Sequence, residues 1–281
     1  MTINRIIISL FILLIFHAAG FSQVLDLEKY KIPFQVKGVT HYHLNSDELF
    51  PEKQNVEIVA VSRKAISRLK FGIAYSDSIL KKTSQFAEET GAIVALNGSF
   101  FDVKKGGSVA YLESGGKVIA WNRNSKQPWA KTDSLLNGAI LVSHKFRLNV
   151  EIAKPEAEYE KSTKEEAVLV SGPILLIGGK KMPLENSEFV KKRHPRACVC
   201  ETADRRIFLI AIDGRSAEAS GMNLKEAQDF LLRLNCKDAI NLDGGGSTTL
   251  WINDGQAKGI LNIPSDKEGE RPVANIIFVA K

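Results

Sequence analysis

Cysteine is scarce in this 281-residue chain, with three residues at positions 198, 200 and 236. That excludes a disulfide-dense small scaffold. With neither a CxxC pair nor an HxxxH partner, the chain also lacks the ligand spacing of a structural zinc site. A long hydrophobic run is missing too. The apolar stretch from Ile6 to Phe16 is too short to cross a bilayer comfortably. It follows a single charge, Arg5, and precedes small residues, which is the order of an export signal. We therefore expect a signal peptide at 1–22 and a mature domain at 23–281 that is periplasmic or secreted and not inserted in a membrane. An N-terminal membrane anchor is the competing reading. No cysteine follows the run, which removes a lipid-anchored start. An excess of one charge is also lacking: 38 Lys and Arg stand against 32 Asp and Glu, a scattered net charge of +6. The densest cationic cluster, Lys191, Lys192 and Arg193, has no interleaved aromatic residues, so a nucleic-acid partner is excluded. No Pro/Gly/Ser-rich linker divides the chain, and one domain is the economical reading.

What is present is an α/β pattern of the mixed α+β kind. "KGVTHYHLNS" and "VEIVAVSRKA" alternate as strands. His41 and His43 share one face of the first and read as surface residues, a metal pair being the weaker alternative. "SDSILKKTSQFAEET" has helical spacing, with Ser76 or Asp77 as its cap and Gly91 at its C′ position. "NLKEAQDFLLRLN" puts Leu224, Ala227, Phe230, Leu231 and Leu234 on one stripe, with Asn223 and Glu226 at capping-box spacing. Glycine pairs in "LESGGKVIAW" and "ILLIGGKKM" mark two hairpins, and "ACVCETADRRIFLIAID" reads as a third with its turn at Ala203–Asp204. The Glu/Lys-rich stretch 151–167 reads as a solvated loop or surface helix. Cys198 and Cys200 share a strand face. A disulfide involving Cys236 and a set of small buried hydrophobes both remain open readings.

The chemistry gathers behind two apolar strands. "IFLIAID" ends at Asp213-Gly214-Arg215, and after the helix "DAINL" ends at Asp243, followed by Gly-Gly-Gly-Ser-Thr-Thr. Such a βαβ unit has parallel strands with a common carboxyl edge, so one mixed, twisted sheet should carry Asp213, Arg215 and Asp243 along that edge. If "AIVAL" runs parallel to them, Asn97 and Ser99 join the group. Three glycines in series exceed the needs of a turn. They imply either tight packing on the sheet or loop amides, Gly244 and Gly245 among them, that approach a ligand while Asp243 projects at it. No lysine follows as in a Walker loop, and GxGxxG spacing fails. Arg196, Arg215 and Arg271 stand at strand borders, where guanidinium forks match phosphate oxygens.

Taken in order, "ALNGSFF", "SGPILLIGGK", "HPRACVC", "IDGR", "GMNLKEAQDFLLRLNCKDAINLDGGGSTTLWI" and "RPVAN" resemble the phosphodiester glycosidases. The resemblance covers most of the chain after residue 90, and "GVTHYHL" is similar more loosely. It implies hydrolysis of a sugar, typically N-acetylglucosamine, joined through its anomeric carbon to a phosphodiester. Nothing in the residue spacing resembles an oxygen-ligand cage, so neither a metal nor another cofactor is expected, calcium or magnesium at the glycine loop being the alternative. Residue by residue the resemblance implicates Asn97, Arg196, Asp213, Arg215, Asp243, Ser247, Arg271 and Asn275. The chain departs from the family pattern at Ser99, Ala197 and Cys200. In the expected division of labour, Asp243 carries catalysis, Asp213 assists or positions, and Arg196, Arg215 and Arg271 hold the phosphate. Two other classes compete. One is a phosphodiesterase breaking P–O, for which the few histidines are poor metal ligands. The other is a non-catalytic binder of glycan or cell-wall polymer using Trp121, Trp129 or Trp251.

Overall fold

The computed structural model describes residues 24–45, 49–124, 126–127 and 130–281. The expected signal peptide and Trp129 lie outside the described residues. The fold is mixed α+β, mostly sheet with few helices. In place of one mixed sheet there are three, and every paired strand among the described residues is antiparallel. Hairpins make most of the connections, and a hairpin returns its neighbour antiparallel. The glycine pairs do this as expected: Gly115 and Gly116, and Gly178 and Gly179, all take positive φ between paired strands.

The largest sheet has eight strands. Its middle runs Val39–Leu44, Val56–Val61, Ile207–Ile212, Arg196–Thr202, Cys236–Asn241 and Ile174–Ile177. Ile207–Ile212 and Cys236–Asn241 do run in the same direction, as the βαβ reading requires. They are not neighbours, however, because Arg196–Thr202 lies between them and is antiparallel to both. The shared carboxyl edge survives this insertion. Ile207–Ile212 is apolar along its whole length because both faces are covered, and its two neighbours are apolar along most of theirs. Val199, Leu209 and Ile240 face a core shared with the two smaller sheets, through Leu96, Ile277, Ile140 and Leu169. Cys198, Cys200, Phe208 and Ile210 face the helix Leu224–Arg233. That helix begins at the expected capping box: Asn223 Oδ1 accepts from the amides of Lys225 and Glu226, and Glu226 returns a carboxylate to the Asn223 amide. Burial of Leu224, Phe230 and Leu231 stabilises the pairing by roughly 1.5–3 kcal/mol for each side chain.

Val94–Asn97 belongs to a different sheet, ordered Lys258–Ile260, Leu250–Asn253, Val94–Asn97, Asn275–Ala280 and Lys70–Tyr75. It is therefore not a parallel companion of the two acid-bearing strands. The first long helix starts later than expected, at Thr83, and neither Ser76 nor Asp77 caps it. Residues 77–79 form bends instead, and Lys81 pairs with Val273 as an isolated bridge just ahead of the helix. Gly91 does take the positive φ of a C′ residue. Cys200 and Cys236 form a disulfide between adjacent strands, and Cys198 stays reduced and buried, its thiol pushed up to about 12 by burial. The two histidines are not free surface residues: His41 is buried, and both bond Glu57. Among the described residues no helix is long and apolar enough to cross a membrane.

Candidate active site

The chain leaves the eight-stranded sheet after Cys236–Asn241 and enters the second sheet at Leu250–Asn253. The Asp-Gly-Gly-Gly-Ser-Thr-Thr segment is that crossing. Asn97 clamps both ends of it. Its Nδ2 donates to the Asp243 carbonyl at 2.7 Å, and its Oδ1 accepts from the Thr249 amide at 3.1 Å. The Asp243 amide in turn donates to the Gly98 carbonyl at 3.1 Å. Asn275 supports the partner turn: its Oδ1 accepts from the Ser99 amide at 2.7 Å, in space that any Cβ on Gly98 would occupy. Asn97 and Asn275, both fully buried, are thus positioning residues.

Each of the three glycines lies against a neighbour. A Cβ on Gly244 would meet the Pro195 carbonyl at 2.6 Å, and one on Gly245 would come within 3.3 Å of the whole end of the Arg215 guanidinium. On Gly246 it would collide with Arg271 and Asp266. Gly245 also has φ 64°. The glycines therefore let two arginines lie on the loop that carries Asp243. Arg215 itself sits at φ 63°, a conformation that costs a non-glycine residue on the order of 1 kcal/mol.

Asp243 is half-buried and points from this loop. Burial pushes its carboxyl above the ordinary carboxylate range, against the opposing pull of the Ser247 hydroxyl and of Lys131 and Arg271. Lys131, held over the Phe100 ring at 4.8 Å, has no precedent in the sequence reading, since nothing near it in the chain marks it. His194 precedes Pro195 and Arg196 in the HPR motif, and no separate signal in the sequence marks it. Arg215 Nη2 lies 3.1 Å from its Nδ1. A guanidinium only donates, so Nδ1 is the acceptor and the ring proton sits on Nε2. Burial first, then the charges of Arg196, Arg215 and Lys192, hold the imidazole below its usual range and keep it neutral. Buried hydrogen-bonding capacity is left unpartnered close by, at Thr248 Oγ1 and Asn275 Nδ2.

The other expected site residues divide. Arg271 is present but not free, because its Nε and Nη2 bond Asp266 at 2.7 and 2.9 Å. Asp213 accepts from Asn55 Nδ2 at 2.5 Å, Asn262 Nδ2 at 3.1 Å and the Ile263 amide at 3.0 Å. Burial still raises its carboxyl. These donors fix the orientation of its carboxylate. Arg196 departs furthest from expectation. Its guanidinium is fully buried, donates to the carbonyls of Met222, Phe189 and Lys192 at 2.8–3.0 Å, and stacks on the Phe189 ring. Those bonds make it hold two loops together, through Nε and Nη2.

An acid on a glycine loop, rimmed by cations where two antiparallel sheets meet, defines the class. Residues 90–280 match the model of the phosphodiester glycosidase family, and the chain belongs to that family. Among curated proteins it is similar to N-acetylglucosamine-1-phosphodiester alpha-N-acetylglucosaminidase of Bos taurus, with 28% identity over 59% of this chain and 32% of the bovine protein. The Mus musculus enzyme of that name is 26% identical over 59% of this chain and 33% of its own length. The chain thus spans about a third of the length of these relatives. Among solved structures, the zebrafish catalytic domain of that enzyme, auto-inhibited by its pro-peptide, shares the fold. Its TM-score is 0.65 at 20% identity, over 89% of this chain and 84% of that one. A hypothetical protein from Synechocystis has a TM-score of 0.61 at 17% identity, over 87% and 62% of the two chains.

Proposed function

We propose that this protein hydrolyses the glycosidic C–O bond of a sugar-1-phosphodiester whose sugar is an N-acetylhexosamine, and that it does so outside the cytoplasm. The observation that carries the reading is the half-buried Asp243 carboxyl surrounded by Lys131, Arg271 and, across Gly245, Arg215. The names of the bovine and mouse relatives supply the sugar. C–O cleavage builds positive charge on the ring and negative charge on the departing phosphate. Ionised Asp243 stabilises the first. Arg215, Lys131 and the remaining donor capacity of Arg271 stabilise the second, in a partly dehydrated setting where such charges act strongly. Neutral His194 directs an N–H, not a second positive charge, at the leaving group. A phosphate monoester leaves readily, so one donor of this kind is enough.

The test is hydrolysis of an N-acetylglucosamine-1-phosphodiester in ¹⁸O-labelled water. Label in the freed sugar is the expected result. Label in the phosphate would make the protein a phosphodiesterase and overturn the role given to Asp243.

A further inference from the structure

A cavity of about 460 Å³ opens on the other side of Asp213. His43, Gln54, Asn55, Glu57, Glu218 and Ile263 are among its walls, whereas Asp243, Ser247, Arg215 and Arg271 are not. Its size is that of a small-molecule site. Glu57 lies buried on Val56–Val61, facing the strand on which His41 and His43 share a face. His41 Nε2 and His43 Nδ1 each stand 2.6 Å from one of its oxygens. A carboxylate only accepts, so both rings donate to it. His43 thus donates from Nδ1, and in the neutral ring Nε2 is an acceptor on the opposite side of an imidazole that is one-third exposed (33%). Gln54 donates through Nε2 to the Gly221 carbonyl at 2.8 Å, which settles its orientation, and its Oε1 is buried with no partner.

The carboxylates in the walls of this cavity outnumber its one cation, which disfavours an anionic ligand, and most of their oxygens already have partners. Asp213 is occupied by Asn55, Asn262 and the Ile263 amide, and Glu57 by the two histidines. The other charged groups in its walls are one exposed carboxylate, Glu218, and one exposed cation, Lys53. The free hydrogen-bonding capacity is thus mainly accepting, and the ligand that fits is neutral and rich in donors. Ile263 adds an apolar surface at the rim, with 60% of its area exposed although its own amide is held by Asp213. Acceptors for hydroxyls beside a patch for C–H groups suit a sugar ring.

We propose that this cavity is a saccharide subsite, which binds a neutral sugar unit through His43 Nε2 and Glu218 and packs it on Ile263. That the sugar belongs to the glycan carrying the scissile phosphodiester rests on the function proposed above. The two places are joined by Asn262, whose Nδ2 donates to Asp213 at 3.1 Å and to the Thr248 carbonyl at 3.0 Å. The test is calorimetric titration of the full chain with three phosphate-free probes: chitobiose, cellobiose and maltose. At least one binds. Ile263→Ala and Glu218→Trp, both at exposed positions that leave the core untouched, each weaken it about tenfold or more, while Asp243→Asn leaves it unchanged. The proposal is overturned if none of the probes binds, or if Glu218→Trp binds like the parent. It is also overturned if Asp243→Asn abolishes binding, which would put the sugar at the loop instead. Binding by a chain that hydrolyses no phosphodiester would keep the subsite and remove only its link to catalysis.

Discussion

Replacing Arg196 with methionine separates the two roles this residue could play. If it held phosphate, its loss would raise KM and leave the fold alone. The structure implies the opposite. Its guanidinium donates to three main-chain carbonyls, those of Met222, Phe189 and Lys192, which hold the 189–192 segment and the start of the long helix against the sheet. Stranding those buried carbonyls costs about 1–3 kcal/mol each, roughly 3–9 in all. Against this, removing a buried cation recovers several kcal/mol of desolvation, the same burial that lowers its pKa to about 10. A methionine also keeps part of the packing on Phe189. The net loss is about 2–4 kcal/mol, or roughly 5–15 °C in Tm for a domain near this size. Thermal melts followed by circular dichroism, alongside KM on a phosphodiester at a temperature where both proteins are folded, give the answer. An unchanged melt with a KM raised tenfold or more would refute the structural role.

Asp243→Asn should lower kcat by about 10³-fold with little change in KM, since its charge matters only as the ring becomes cationic. The pH dependence follows from the raised carboxyl: activity needs Asp243 ionised, so the acid limb of kcat/KM lies above the ordinary carboxylate range. The same shift has a sign for stability. A folded-state carboxyl raised above its unfolded value disfavours the fold once ionised, so Asp243→Asn melts higher than the parent at neutral pH. That difference shrinks as pH falls through the folded value and vanishes below the unfolded one, as paired melts across pH would report. Replacing Cys200 and Cys236 together by serine opens a loop with a sequence separation of 36 and lowers stability by about 4 kcal/mol. Urea unfolding would measure this, and an equal loss in the parent under reductant is the matching control.

Much of this molecule is legible in one dimension because it depends on local spacing. The Asn223–Glu226 box, the glycine-pair hairpins and the apolar stripe of the long helix are contacts between residues a few positions apart. The alignment of Asp213 and Asp243 on one edge follows from a strand–helix–strand order. Membership of the family was legible too, since its motifs keep their order. Tertiary structure alone decided what each charged group faces. A strand inserts between the two acid-bearing strands, so the acids are not on neighbouring strands. Asp213 finds its donors in Asn55, Asn262 and Ile263, all remote in sequence. Arg196 turns inward to carbonyls, while Lys131 arrives from a segment with no motif to mark it. His41 and His43 share a face by strand periodicity, but only the pairing of that strand with Val56–Val61 sets Glu57 opposite them. A charged side chain reaches several ångströms from its backbone, and its partner is set by whichever element packs there. Spacing along the chain therefore determines the elements, and packing between them determines the chemistry.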